Sequence, residues 1–218
     1  MSAIEIDAFP VALSLRDRAV LVLGGGEEAA QKVPKLLASG ARVTVVAPHV
    51  TDELAQAAAQ RRVLWFARDF RPFDCAGAHV VMLTEIDPVR AAELCALRSR
   101  DARGRFWLCA IDQPAFSDFY LVSSLVRGPV QISISTSGRA PLLARRIRQA
   151  LEAGLDQAFS DFARKFAALR ARVRSLPKQE RSELLERSLA GFAMEVRLRY
   201  PDEDGQGAGY PPKPARDE

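Results

Sequence analysis

Residues 18–47, RAVLVLGGGEEAAQKVPKLLASGARVTVVA, constrain this chain more than any other stretch, because they read as strand, glycine turn, helix and strand in succession. Ala19–Leu23 is a short apolar run that ends in three glycines. Residues 27–39 carry Ala30, Val33, Leu36 and Leu37 at helical spacing, and Gly40 closes that helix. Residues 42–47, RVTVVA, follow as a β-branched buried strand. Gly24, Gly26 and Ala29 fit the pattern G-x-G-x-x-G/A. In that pattern the first glycine makes a tight turn, the second lets backbone approach a pyrophosphate, and the small third residue lets helix pack on strand. The helix then offers free N–H groups to phosphate. A merely structural turn is the competing reading, but a glycine motif that follows a strand, opens a helix and precedes a second strand points to a bound dinucleotide. No Asp or Glu ends the second strand to hold a ribose 2′-OH, where Ala47, Pro48 and His49 stand instead, and no Arg is nearby to favour a 2′-phosphate. NAD is therefore expected over NADP. Pro34, inside the helix, removes one backbone hydrogen bond and is expected to kink it.

The same alternation continues. Residues 52–60 read as a short alanine-rich helix, 63–67 as a strand, 70–77 as a loop and 78–83, AHVVML, as another buried strand. Thr84 and Glu85 then sit at a strand's carboxyl end, the edge at which open α/β sheets bind ligands. Pro88–Arg100 reads as a helix with Pro at its start, and residues 106–110, FWLCA, as a strand. Asp112 lies just beyond that strand, on the rim shared with the glycine turn, Thr84 and Glu85. Followed by Pro114, it reads equally as a turn former and as a catalytic carboxylate. Residues 9–15 look like a lead-in segment that packs on the sheet edge, with no chemistry visible.

Further on, residues 131–135, QISIS, alternate as a half-buried strand before Thr136, Ser137 and Gly138. A helix follows with Leu143, Ile147 and Leu151 on one face and Arg145, Arg146 and Arg148 largely off it, which usually means a solvated face. Phe159, Phe162, Phe166, Leu169, Val173 and Leu176 step by three and four, a stripe suited to a core or a partner seam. Leu184, Leu185, Leu189, Phe192 and Val196 mark a last helix after Pro177. Residues 201–218 are Gly, Pro and acid with almost no apolar content, so a disordered tail is expected.

At 218 residues and 48% hydrophobic, the chain can bury one full domain and a smaller one. No apolar run approaches the roughly 18 residues a membrane span needs, and Glu5 and Asp7 are unlike a leader peptide, so a cytoplasmic protein without membrane association is expected. Three widely spaced cysteines fit neither a disulfide framework nor a metal site; buried free thiols are expected, and no metal ligands. Residues 139–199 hold 14 Lys and Arg against 7 Asp and Glu, a net of +7 that suits an anionic partner. Without a recognised motif or aromatic interleaving, nucleic acid is not that partner. A polycarboxylate or phosphate-bearing small molecule fits better.

With these residues in view, the chain resembles the siroheme synthase amino-terminal family, precorrin-2 dehydrogenases that are often also sirohydrochlorin ferrochelatases. The matching pieces are FPVALSLRDRAVLVLGGGEEAAQK, the pair Thr84-Glu85, the aspartate loop IDQPAFSDF, and RGPVQISISTSGRAPLLARRIRQAL with its Ser/Thr-rich turn before Pro141. The resemblance covers roughly residues 9–189 and is to the stand-alone form, with no methyltransferase domain following. It implies an α/β fold in which a Rossmann-type parallel-sheet NAD domain (1–121) is followed by a small dimerisation segment (122–152), a helical carboxyl-terminal domain (153–200) and the tail, assembled as a homodimer. It also implies oxidation of precorrin-2 to sirohydrochlorin, with insertion of Fe²⁺ as a possible second step. The family's essential aspartate falls on Asp112. Its cofactor contacts fall on Gly24, Gly25, Gly26, Glu27, Glu28, Pro48 and His49, with Thr84 and Glu85 on the same rim. Thr136, Arg127, Arg139, Arg145 and Arg146 are the expected substrate contacts, the arginines pairing with acetate and propionate groups. The sequence departs from the family pattern at Cys109, where an Asn usually precedes the aspartate by three, at Ser137 for a second glycine, at Val122 for a proline, and at Pro34.

Two other readings follow from the residues. One is an NAD-binding redox sensor or regulator without turnover. The other is a dehydrogenase acting on a different polyanion.

Overall fold

In the computed structural model, which describes residues 9–100, 106–198, 200–201 and 208–209, the β-branched runs become five parallel strands. These are β1 (Ala19–Leu23), β2 (Arg42–Val46), β3 (Leu64–Phe66), β4 (Val80–Leu83) and β5 (Trp107–Ala110), in the order β3-β2-β1-β4-β5. Val20 pairs with Val43 on one side and Val80 on the other, so β1 is the centre of the sheet. Three helices cross between strands: α1 (Glu27–Ala38), α2 (Asp52–Ala59) and α3 (Pro88–Arg100).

The strands are apolar on both faces because both faces are covered. Val20 and Val22 point into a core with Ala29, Val33 and Leu36 of α1 and Leu54 of α2. Leu21 and Leu23 point the other way, against Ala91 and Leu94 of α3. This is the doubly wound arrangement expected from the sequence, and it sets the carboxyl ends of all five strands along one edge. Pro34 does not interrupt α1, which runs through it; the residue lies on the exposed side, where the missing hydrogen bond faces solvent.

After the sheet come a hairpin of β6 (Ser123–Arg127) and β7 (Val130–Ile134), then α4 (Pro141–Gly154), α5 (Gln157–Arg172) and α6 (Lys178–Ser188). The chain divides into two compact units, residues 1–124 with 133–149 and residues 125–132 with 150–218. The expected dimerisation segment is thus shared between them. The hairpin tip goes with the helical unit because the Arg127 guanidinium donates to the carbonyls of Leu155 (2.8 Å) and Glu152 (3.3 Å) at the end of α4.

In that second unit Asp156 caps α5, its carboxylate accepting from the Phe159 N–H at 2.9 Å. The aromatic stripe is confirmed as a packing face: Phe162 stacks on Phe166 and on Phe192, the latter at 5.3 Å between ring centroids. The last helix is shorter than its periodicity suggests. It ends at Ser188, and a turn through Gly191 (φ +82°) carries Phe192 back onto α5.

The lead-in segment differs from expectation: residues 9–14 are exposed and only Leu15 packs on the core. At the start of the expected disordered tail, residues 201–218, Tyr200–Pro201 pairs antiparallel with Ala208–Gly209, and the remaining tail residues lie outside the described ones. Among the described residues, no helix is long and apolar enough to cross a membrane.

Candidate functional site

The glycine turn is shaped by close approaches on two sides and openness on the third. Gly24 has φ +109°, a conformation glycine adopts without penalty, and a Cβ there would fall on the Thr84 hydroxyl. A Cβ on Gly25 would overlap the backbone carbonyl of His49. The turn is therefore pressed between the ends of β4 and β2, held by Gly24 N–H to Val46 O (3.2 Å), Thr51 N–H to Gly25 O (3.0 Å) and the buried Thr84 hydroxyl donating to Leu23 O (2.9 Å). Gly26 is different. It is exposed, a Cβ there would meet nothing within 4 Å, and as N-cap of α1 it supplies no side chain to the helix's free N–H groups. That open, uncapped helix end is what a pyrophosphate requires, so the residues present fit a dinucleotide.

Glu27 and Glu28 occupy the first turn of α1, where their charge suits the helix dipole. Glu28 pairs with Lys32 one turn on, at 2.6 Å. Pro48 and His49 are exposed just past β2, and Arg68, after β3, is engaged by Asp74 through bonds of 2.6 and 2.8 Å. Glu85 is exposed beside the turn.

Asp112 sits where β5 ends, in the left-handed region at φ +56°. Asp tolerates that conformation better than most residues, but it must be held there. The loop supplies the hold. Gln113 N–H donates to Ala110 O (3.1 Å) and Ile111 N–H to Leu83 O (2.9 Å). The Ser117 hydroxyl accepts from Ala110 N–H at 3.0 Å and lies within donating distance of the Ala110 and Gln113 carbonyls, at 3.0 and 3.1 Å. Asp118 accepts from Leu108 N–H (2.8 Å) and from Arg98. The buried Gln113 side chain donates to Glu85 O at 3.2 Å, tying this loop to the end of β4. Ser117, Asp118 and Gln113 are site residues that motif reading did not single out. Their signal was the short return of chain after β5, which lets a side chain seven to ten residues on reach back to the strand.

Asp112 lines a cavity of about 750 Å³ that lies wholly within the first unit, a size suited to a large small-molecule ligand. Of the residues expected from sequence, Glu28, Asp112, Thr136 and Arg139 line it. Thr136 also braces the turn before α4, its hydroxyl accepting from Ala140 N–H at 3.2 Å. The glycine turn, Pro48, His49, Thr84 and Glu85 form the strand-end rim rather than the cavity wall. Arg127 belongs to the second unit, where it is bonded to the end of α4. Arg145 and Arg146 are exposed on α4 and outside the lining.

Lys32 and Cys109 line the cavity as well, and the sequence reading had given neither a role in binding. Burial pushes the Cys109 thiol up to about 11, with the Lys32 charge pulling the other way, and burial takes Cys75 to about 12. All three cysteines are free. Among the described residues, no group of three His, Cys, Asp or Glu is placed to hold a metal.

Comparison with known proteins adds three findings. Residues 11–123 match the family model described as "Putative NAD(P)-binding", and residues 127–153 the model of the sirohaem biosynthesis protein central region. The chain is 38% identical over 169 residues to a siroheme synthase of Gluconacetobacter diazotrophicus, covering 76% of this chain and 35% of that one. It is 36% identical over 171 residues to siroheme synthase 3 of Aeromonas hydrophila, covering 78% and 36%. The chain thus spans little more than a third of these relatives' length. Among solved structures it is similar to SirC, a precorrin-2 dehydrogenase, with a TM-score of 0.66, 25% identity, and coverage of 83% of this chain and 88% of that one.

Proposed function

Since this chain belongs to the siroheme synthase amino-terminal family, we propose that it oxidises precorrin-2 to sirohydrochlorin with NAD as hydride acceptor. The observation that carries the reading is Asp112, held by its loop in a left-handed conformation on the wall of a cavity of about 750 Å³. Substrate oxidation removes a hydride and a proton, and lengthens the macrocycle's conjugation. Bound NAD supplies the acceptor for the hydride. The residues of the chain do the rest. Gly24 and Gly25 keep the turn tight, Gly26 and the free N–H groups of α1 receive the pyrophosphate, Glu27, Pro48, His49, Thr84 and Glu85 form the surrounding rim, and Glu28 stands between that rim and the cavity wall it lines. Asp112 takes the proton, and its loop fixes the carboxylate against the substrate. Thr136 and Arg139, which also line the cavity, bind the substrate's periphery.

Iron insertion is the finer part of this reading. Fe²⁺ would be a substrate, and Asp112 would accept the pyrrole protons it displaces. Cys109, in place of the family's Asn, puts a thiol on the same cavity wall. A cytoplasmic homodimer completes the proposal, supported by the exposed apolar side chains of Val126, Leu142 and Leu143.

The test is an anaerobic incubation of the protein with precorrin-2 and NAD. The proposal expects sirohydrochlorin and NADH to form in equal amounts. NAD binding without any change in the tetrapyrrole would favour the sensor reading instead, and NAD reduction with other polycarboxylic acids but not precorrin-2 would favour a different dehydrogenase.

A further inference from the structure

Lys32 is out of place for a helix-surface residue. Its side chain is only 19% exposed, it lines the cavity with Asp112, and the polar partner in reach is Glu28, whose carboxylate lies 2.6 Å away. A Glu–Lys pair one turn apart adds little to a helix, so the pair alone does not explain why this long cationic side chain lines the cavity rather than extending into bulk water. The wall beside it is the Cys109 thiol, which is neutral.

The charge inventory of the cavity points the same way. Its lining carries two carboxylates, Glu28 and Asp112, and two cations, Lys32 and Arg139. A ligand bearing several carboxylates would be repelled by the first pair and needs the second. Arg145 and Arg146, in the same unit, do not line this cavity.

We propose that Lys32 anchors a peripheral carboxylate of the tetrapyrrole, and that Glu28 holds the ammonium inside the cavity until the substrate's carboxylate displaces it. This rests on the tetrapyrrole reading above. It makes Glu28 a competitor of the ligand rather than a helper, so the two residues of one ion pair act on binding with opposite signs. A pair that only stabilises α1 gives the same sign from either side.

The experiment is an anaerobic absorbance titration with sirohydrochlorin, in the absence of NAD, of the full chain and of Lys32→Met, Lys32→Arg and Glu28→Gln, with thermal melting to establish that each is folded. Loss of a charged hydrogen bond at this site predicts about tenfold or more weaker binding for Lys32→Met. Lys32→Arg, which keeps the charge, should recover most of that loss, and Glu28→Gln should bind several-fold more tightly. Binding by Lys32→Met within twofold of the unaltered chain overturns the inference, as does weakening in Glu28→Gln comparable to that in Lys32→Met. If the unaltered chain neither binds sirohydrochlorin nor oxidises precorrin-2, the functional reading itself falls; if it does both while Lys32→Met is unaffected, only this inference does.

Discussion

At the scale of single residues, three consecutive glycines do three different things. Gly24 takes a positive φ against Thr84, Gly25 lets the chain pass the His49 carbonyl, and Gly26 leaves space empty. Gly26→Val should therefore abolish NAD binding while costing the fold about 1 kcal/mol or less, because a Cβ there meets no protein atom within 4 Å and the added side chain takes up the ligand's space. Val at position 25 should instead fail to fold, since its Cβ would overlap backbone. Calorimetry with NAD and a melting curve separate the two, and NAD binding retained by Gly26→Val would contradict the assignment. This part of the site was legible in the sequence because it is local: spacing within six residues encodes the turn. Lys32 was not, because its role depends on which wall of α1 faces the cavity. Nor was the setting of Arg127, since whether it binds a ligand or grips backbone carbonyls is decided by tertiary contact.

At the scale of elements, the loop after β5 is the one the account depends on. Its shape comes from Ser117 and Asp118 reaching back to Ala110 and Leu108. Ser117→Ala should cost about 1–2 kcal/mol and lower the rate of precorrin-2 oxidation, with NAD affinity little altered, because the change frees Asp112 and leaves the glycine turn alone. Steady-state kinetics beside NAD calorimetry would check it. The loop between β3 and β4 has its own lock in Arg68 and Asp74, and it is sensitive to acid. The Arg68 guanidinium bonded to Asp74, opposed by burial, holds the Asp74 carboxyl below the ordinary carboxylate range. A carboxyl lowered on folding contributes stability that is present above its unfolded pKa and is lost as pH falls through the folded value. Asp74→Asn should therefore destabilise the protein by about 1–2 kcal/mol near neutral pH and by progressively less in acid, read from melting temperatures across pH. Strands β1, β2, β4 and β5 were legible from their β-branched and apolar runs. The end of the last helix was not, because the apolar spacing continues through Phe192 and Val196 while Gly191 turns the chain back.

At the scale of the whole molecule, the order β3-β2-β1-β4-β5 puts the turn, the rim and Asp112 on one edge, which is why a site can be read from residues far apart in sequence. The second unit has its own packing face in the α5 aromatics, and the chain leaves Val126, Leu142, Leu143 and Ile147 exposed. We expect these to be covered by a second copy, so light scattering at micromolar concentration should return twice the mass of one chain. A monomer there would remove the dimer from the account. The central claim is that Asp112 is the base for tetrapyrrole oxidation, and one substitution tests it most directly. Asn matches Asp in size and accepts the left-handed conformation as readily, but it takes up no proton at neutral pH. Anaerobic oxidation of precorrin-2 by Asp112→Asn should be slower by roughly 10²- to 10⁴-fold than by the unaltered chain, with NAD affinity nearly the same. A folded Asp112→Asn protein that oxidises precorrin-2 at close to the unaltered rate would contradict it.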